Sequence, residues 1–100
     1  MQTLDIQGEL TVFTAAERKT QLLAFLKSSD ELEINLADVS EIDTAGLQLL
    51  ILIKREAAQV NKTLSFVMHS QAVLEILDLT NLTSAFKDQV ILVRKEESSQ

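Results

Sequence analysis

The sequence predicts an α/β domain in which one mixed sheet of about four to five strands is packed with about three to four helices, in the order ββαβαβαβ. Three observations predict it. Short stretches of alternating apolar and polar residues recur along the chain, longer stretches of helical period separate them, and no proline, repeat or linker breaks the succession. With 100 residues there is material for a single core, and a chain of this length hides about 60–70% of the surface it exposes when unfolded. The domain is expected to span residues 1–95, leaving 96–100 as a tail with nothing to bury and a tendency to fray.

Leu4 and Ile6, then Leu10 and Val12, alternate with polar neighbours around Gly8 and Glu9, the pattern of two half-buried strands joined by a tight turn or bulge. Thr14 opens a helix, and Glu17 completes a capping-box pattern in which hydroxyl and carboxylate take up free amides of the first turn. Ala15, Leu22 and Leu26, with Leu23 and Phe25, supply its apolar face. After the polar gap from Ser28 to Asp30, Leu32, Ile34 and Leu36 alternate with charged and polar residues as a strand covered on one face, and Ala37 to Glu41 reads as a turn. From Asp43 the period changes. Leu47, Leu50, Ile51, Lys54, Arg55 and Ala58 mark a helix apolar nearly all round in its early turns, which places it deep in the domain. Asn61 and Lys62 interrupt it, Leu64, Phe66 and Met68 alternate as a further strand, and Ser70 caps a third helix carrying Val73, Leu74 and Leu77. A last strand is expected at about 90–93. Strands separated by helices favour parallel pairing, and sites in such sheets gather where strands end and helices begin.

Composition removes several classes of function. There is no cysteine, so disulfides, thiolate metal sites and thiol nucleophiles are absent together. His69 is the sole histidine and reads as a surface residue at a strand end, so a zinc site would need carboxylates for every other ligand. A formal charge of −6, with four Phe and no Trp or Tyr, repels phosphate backbones and offers no stacking platform, which argues against nucleic acid as a partner. The longest unbroken apolar run, Leu49 to Ile53, is far shorter than the ~20 residues of a membrane span, so no membrane insertion is expected. Met1 to Ile6 shows neither a secretory nor a transit signal, which leaves the cytoplasm as the expected location. Asp38, Glu41 and Asp43 cluster in sequence without a basic partner, so an enzyme is not expected. The two glycines, Gly8 and Gly46, form no phosphate-cradling loop with a lysine, and no cofactor is implied.

The most unusual segment is the run Ile42, Asp43, Thr44, Ala45, Gly46, Leu47 at the opening of the central helix. Asp43 suits an N-cap, where its charge meets the positive end of the helix dipole. Thr44, Ala45 and Gly46 put small residues on the first turn, leaving backbone amides and a hydroxyl open to close approach from outside. This run resembles the signature of the STAS family, in which a strand and short loop lead to an Asp, two small or hydroxyl residues, then Gly and Leu opening a helix. Gly8-Glu9-Leu10 followed by the helix at Thr14 is similar to the family's opening, and Val73 to Leu82, with Leu77, Leu79, Thr80 and Leu82, to its third helix and exit.

The resemblance implies a single STAS-type domain that docks on a partner protein without catalysing a reaction. In the anti-sigma-factor antagonists of this family, the second residue after the Asp is a serine phosphorylated by an anti-sigma factor of histidine-kinase-like ATPase fold. Ala45 stands there and has no hydroxyl, so the usual phosphoswitch is missing, and Thr44 is the neighbouring candidate phosphoacceptor. A Thr directly after the Asp also resembles the STAS subunit of bacterial lipid-transport ABC complexes, where it contacts the ATPase. A third role that membership of such a family would allow is that of a STAS adaptor in a chemotaxis-type kinase pathway. All three imply one docking surface: Asp43, Thr44, Ala45, Gly46, Leu47 and Gln48. The chain departs from the family where Asn35 and Thr11 replace common Asp residues, which thins the acidic rim of the motif, and where Asn81 replaces a Gly. Neither the partner's identity nor the oligomeric state follows from the resemblance.

Overall fold

The structure is a computed structural model and describes residues 1–80. Its elements run β1 (Gln2–Asp5), β2 (Gly8–Leu10), α1 (Ala15–Phe25), β3 (Glu31–Asn35), β4 (Val39–Ile42), α2 (Thr44–Gln59), β5 (Thr63–Val67) and α3 (Gln71–Thr80). The expected last strand, the tail and Asn81 lie outside the described residues. The rest is a single small α/β domain with the expected succession of elements and one additional strand, β4.

Central strand β3 pairs in parallel with β1 on one side and β5 on the other, and β2 pairs in parallel with β4. Between these ladders the pairing hardly pauses, because the Ile6 amide donates to Asn35 O at 3.1 Å and the Gly8 amide to Asp38 O at 3.0 Å. Thus β1 and β2 are successive parts of one bent path beside the path of β3 and β4. Of the two expected joints, the structure shows the bulge: the register shifts between Gly8 and Glu9, and Gly8 sits at φ 85°, where a side chain would be strained.

β4 was hidden because its side chains do not alternate. Val39 is buried, Ser40 and Glu41 are exposed and Ile42 is half-buried, so pairing with β2 rather than periodicity makes this a strand. The capping box at Thr14 is corrected too. Thr14 makes no side-chain cap to α1, since its hydroxyl oxygen accepts from the Thr11 amide at 3.0 Å within the preceding turn.

As expected, α2 lies deep, burying Gly46, Leu47, Leu49, Leu50, Ile53 and Ala57 and packing on α1, β2, β4 and β5. It ends at Asn61, which adopts φ 61°, with the Lys62 amide donating to Ala57 O and the Asn61 amide to Ala58 O. That is a Schellman closure, and asparagine is the residue after glycine that enters the left-handed region most readily. The Lys62 ammonium also donates to Leu26 O, joining the end of α2 to the end of α1.

Two expectations near β5 are revised. Met68 leaves the strand at φ 58° and is 60% exposed, which turns the next residue inward. His69 is consequently buried, at 7% exposure, and is not a surface residue. Burial pushes its pKa down to about 4 by penalising the charged imidazolium. Ser70 caps α3 as expected, its hydroxyl accepting from the Val73 amide at 3.3 Å. Ile6, Leu10, Ile34, Leu50 and Phe66 are fully buried at the centre of the core.

Candidate functional site

The chain enters α2 directly from β4, so the helix start stands at the rim of the β2–β4 ladder. Asp43 occupies the N-cap in an extended conformation, and one carboxylate oxygen, Oδ1, accepts from the Gly46 amide at 3.0 Å. The other oxygen, Oδ2, accepts from the Val12 amide at 2.9 Å, reaching across to the turn between β2 and α1. The Val12 amide first, and the Gly46 amide second, hold the Asp43 carboxyl below the usual carboxylate range, because each donates to the charged form. A carboxylate with both oxygens occupied in this way is a structural bridge rather than a free acid or base.

Gly46 owes its identity to the approach of α2 to β2. A Cβ added there would lie 1.9 Å from the carbonyl oxygen of Leu10, so no side chain fits between helix and strand. The Leu10 carbonyl also accepts the Asp43 amide at 3.4 Å, which makes it the pivot of the corner. Leu47 is 1% exposed and points into the core. The residues of the expected docking set therefore divide between interior and surface. Gly46 and Leu47 are buried and build the corner from within, and the small residue at 46 serves close approach inside the protein, not from outside.

What remains outside is narrower. Thr44 and Gln48 are exposed, four residues apart and so on one helix face, while Ala45 is half-buried between the surface and the core. Further along the same helix, Gln48, Ile51, Leu52 and Arg55 line a shallow groove of about 370 Å³. Asp38 and Glu41 are exposed on the β4 side and do not converge with Asp43, whose oxygens face amides. Among the described residues there is no grouping of His, Asp and Glu able to hold a metal ion, and no helix is long and apolar enough to cross a membrane.

The structure adds two residues that sequence reasoning passed over. Val12 and Phe13, in the turn bridged to Asp43, are 61% and 89% exposed. The turn is shaped by Thr11, which is buried: its hydroxyl donates to Glu9 Oε1 at 3.2 Å and accepts from the Phe13 amide at 3.3 Å. Read only as the end of an alternating strand, Val12 looked like core. The available signal was a second large apolar residue directly after it, with a Thr on each side, which breaks the alternation. Of the departures from the family pattern, Asn35 has a local role as well, its Oδ1 accepting from the Ala37 amide at 2.8 Å to turn the chain toward β4.

With this geometry in place, comparison with known proteins is informative. A family model described as Mlab, STAS domain matches residues 1–93. The crystal structure of an anti-sigma factor antagonist from Mycobacterium paratuberculosis is similar at a TM-score of 0.72 and 22% identity, over 92% of this chain and 84% of that one. The structure of the anti-sigma factor antagonist SpoIIAA in its unphosphorylated form is similar at a TM-score of 0.65 and 17% identity, over 93% of this chain and 87% of that one. At these identities the likeness is one of fold.

Proposed function

The chain belongs to the STAS domain family, and from that premise we propose that it is a non-catalytic docking module that holds a partner protein at the start of α2, as an anti-sigma-factor antagonist does. The observation that supports this reading most is the division of labour in the Asp43 to Gln48 segment. Asp43, Gly46 and Leu47 are consumed in building the corner, and Thr44 and Gln48 are exposed and make no side-chain hydrogen bond among the described residues. A surface made of backbone-anchored, pre-ordered groups loses little freedom on binding. The proposed partner is an anti-sigma factor or kinase of histidine-kinase-like ATPase fold, encountered in the cytoplasm. Ala45 gives it no hydroxyl to phosphorylate at the family's usual place, and Thr44 is the exposed hydroxyl beside it.

One observation favours a second reading. The exposed threonine directly follows the capping aspartate, the arrangement that resembles the STAS subunit of lipid-transport ABC complexes, in which the partner is the ABC ATPase. A STAS adaptor in a chemotaxis-type kinase pathway would use the same surface. Co-purification of the tagged chain from its native cell, read by mass spectrometry with phosphosite mapping, separates the three by the identity of the captured ATPase or kinase. Thr44→Glu is expected to weaken capture and to leave the melting temperature within a few degrees, since a carboxylate at a helix start does not oppose the dipole. Capture of the same protein by Thr44→Glu at wild-type strength would sink the proposal.

A further inference from the structure

Phe13 is the most exposed large apolar side chain among the described residues, at 89%, and the turn that carries it is unusually well tied. Each amide from Thr11 to Thr14 has an acceptor. The Thr11 amide donates to Thr14 Oγ1 at 3.0 Å, Val12 to Asp43 Oδ2 at 2.9 Å, Phe13 to Thr11 Oγ1 at 3.3 Å, and Thr14 to Thr11 O at 3.0 Å. Arg18 clamps the strand behind it, donating to the carbonyls of Gln7 and Glu9. A turn this ordered does not expose an aromatic ring through looseness. It presents a side chain with two rotatable bonds on a fixed base, the property that makes aromatic residues efficient anchors in interfaces.

The charges on the segments that flank the turn define what the ring meets. Glu9 lies directly opposite Glu41 across the β2–β4 ladder, both exposed, an arrangement of like charges that does nothing for the sheet. Glu17 adds a third exposed carboxylate in the first turn of α1. Against these three carboxylates stand two cations, the half-buried Arg18, which donates to backbone carbonyls and to Gln21 Oε1, and the exposed Lys19, so negative charge is in excess. An apolar knob among carboxylates is repelled by anionic lipid headgroups and by a second copy of itself, and is attracted to an apolar pocket rimmed by Lys or Arg.

We infer that Phe13, with Val12 beside it, is the anchor that this chain inserts into an apolar, basic-rimmed pocket of its protein partner. The inference rests on the docking reading above, because the Asp43 bridge makes the Val12–Phe13 turn and the Thr44 face two parts of one surface. It adds to that reading the residue that carries affinity and the chemistry of the site that receives it.

The test places the photo-crosslinking residue p-benzoylphenylalanine at position 13 of the full chain in its native cell, with parallel probes at Gln48 and at Gln59, the latter at the far end of α2. Irradiation is expected to yield one protein adduct at positions 13 and 48 that is missing at 59. That protein, purified and titrated by calorimetry, is expected to bind Phe13→Ala about 30-fold more weakly than wild type, with Phe13→Leu between the two and binding weakened by salt. Because the ring is solvated, Phe13→Ala should melt with the wild type. An adduct at 48 whose partner binds Phe13→Ala within about threefold would overturn the anchor and leave the docking corner standing. No adduct at either position would overturn both, and a crosslinked dimer or a lipid adduct at 13 would assign the ring to a different occupant and overturn the inference.

Discussion

Gly46→Ala tests the corner at its tightest point. The added methyl would stand 1.9 Å from Leu10 O, 2.7 Å from Leu10 C and 3.0 Å from Leu10 Cγ. Two of these are backbone atoms of β2, so no rotamer change relieves the clash, and α2 and β2 must part by about 1 Å or more before ordinary contact is restored. Overpacking of this kind costs about 1–3 kcal/mol, and a backbone obstacle belongs at the upper end. Alanine's better helix propensity returns at most about 1 kcal/mol, less in a first turn. The net loss is therefore about 2 kcal/mol, which in a chain of this size lowers Tm by about 8–16 °C. Urea denaturation followed by circular dichroism at fixed concentration gives the free energy, and an unchanged slope confirms that the same folded state is being compared. Since the Asp43 amide donates to the same Leu10 carbonyl at 3.4 Å, its NMR resonance should shift as well. A variant melting within about 3 °C of wild type, with the Asp43 and Val12 amides undisturbed, would refute the claim that glycine is required by close approach.

Further outcomes follow from the same coordinates of charge and burial. Asp43→Ala should cost about 1–2 kcal/mol through loss of the cap, and hydrogen exchange should speed at Gly46 and Val12 together; acceleration at Gly46 alone would show that the second bridge is idle. With the Asp43 carboxyl held below its ordinary 3.8, its stabilisation is complete above that value and is lost as pH falls through the lowered folded value. For His69, the folded value of about 4 lies below the ordinary 6.5, so the unfolded chain takes up the proton first and acid favours unfolding between those two values. Stability should fall by about 3 kcal/mol across that window, and His69→Asn should flatten it; an imidazole that titrates near 6.5 by NMR in the folded protein would contradict the burial argument.

How far the fold could be read in advance depended on whether a residue's role was local. Helices α2 and α3 and strand β3 were legible because burial on one face prints a period, and the caps at Asp43 and Ser70 because each acts on amides within its own first turn. β4 was not legible, since Ser40 and Glu41 are both exposed and the strand exists through its pairing with β2. Thr14 misled for a related reason: its hydroxyl had a choice between the helix ahead and the turn behind, and Thr11 lies on the turn. His69 misled because Met68, one residue earlier, takes a left-handed conformation that reverses the facing. At the candidate site the motif located the corner and named the exposed Thr44 and Gln48. It could not tell Gly46 as internal, although the helical period already set Leu47 among the apolar residues of a deep helix, nor bring in Val12 and Phe13, because those facts belong to the approach of two segments about thirty residues apart in the chain.

The Asp43 carboxylate spans two segments that would otherwise be ordered independently, one oxygen on each. Dislodging that single group, by acid or by substitution, would loosen the helix opening at Gly46 and the neighbouring turn at Val12 in the same event. The two exposed stretches on either side of it are thereby held in a fixed register to each other.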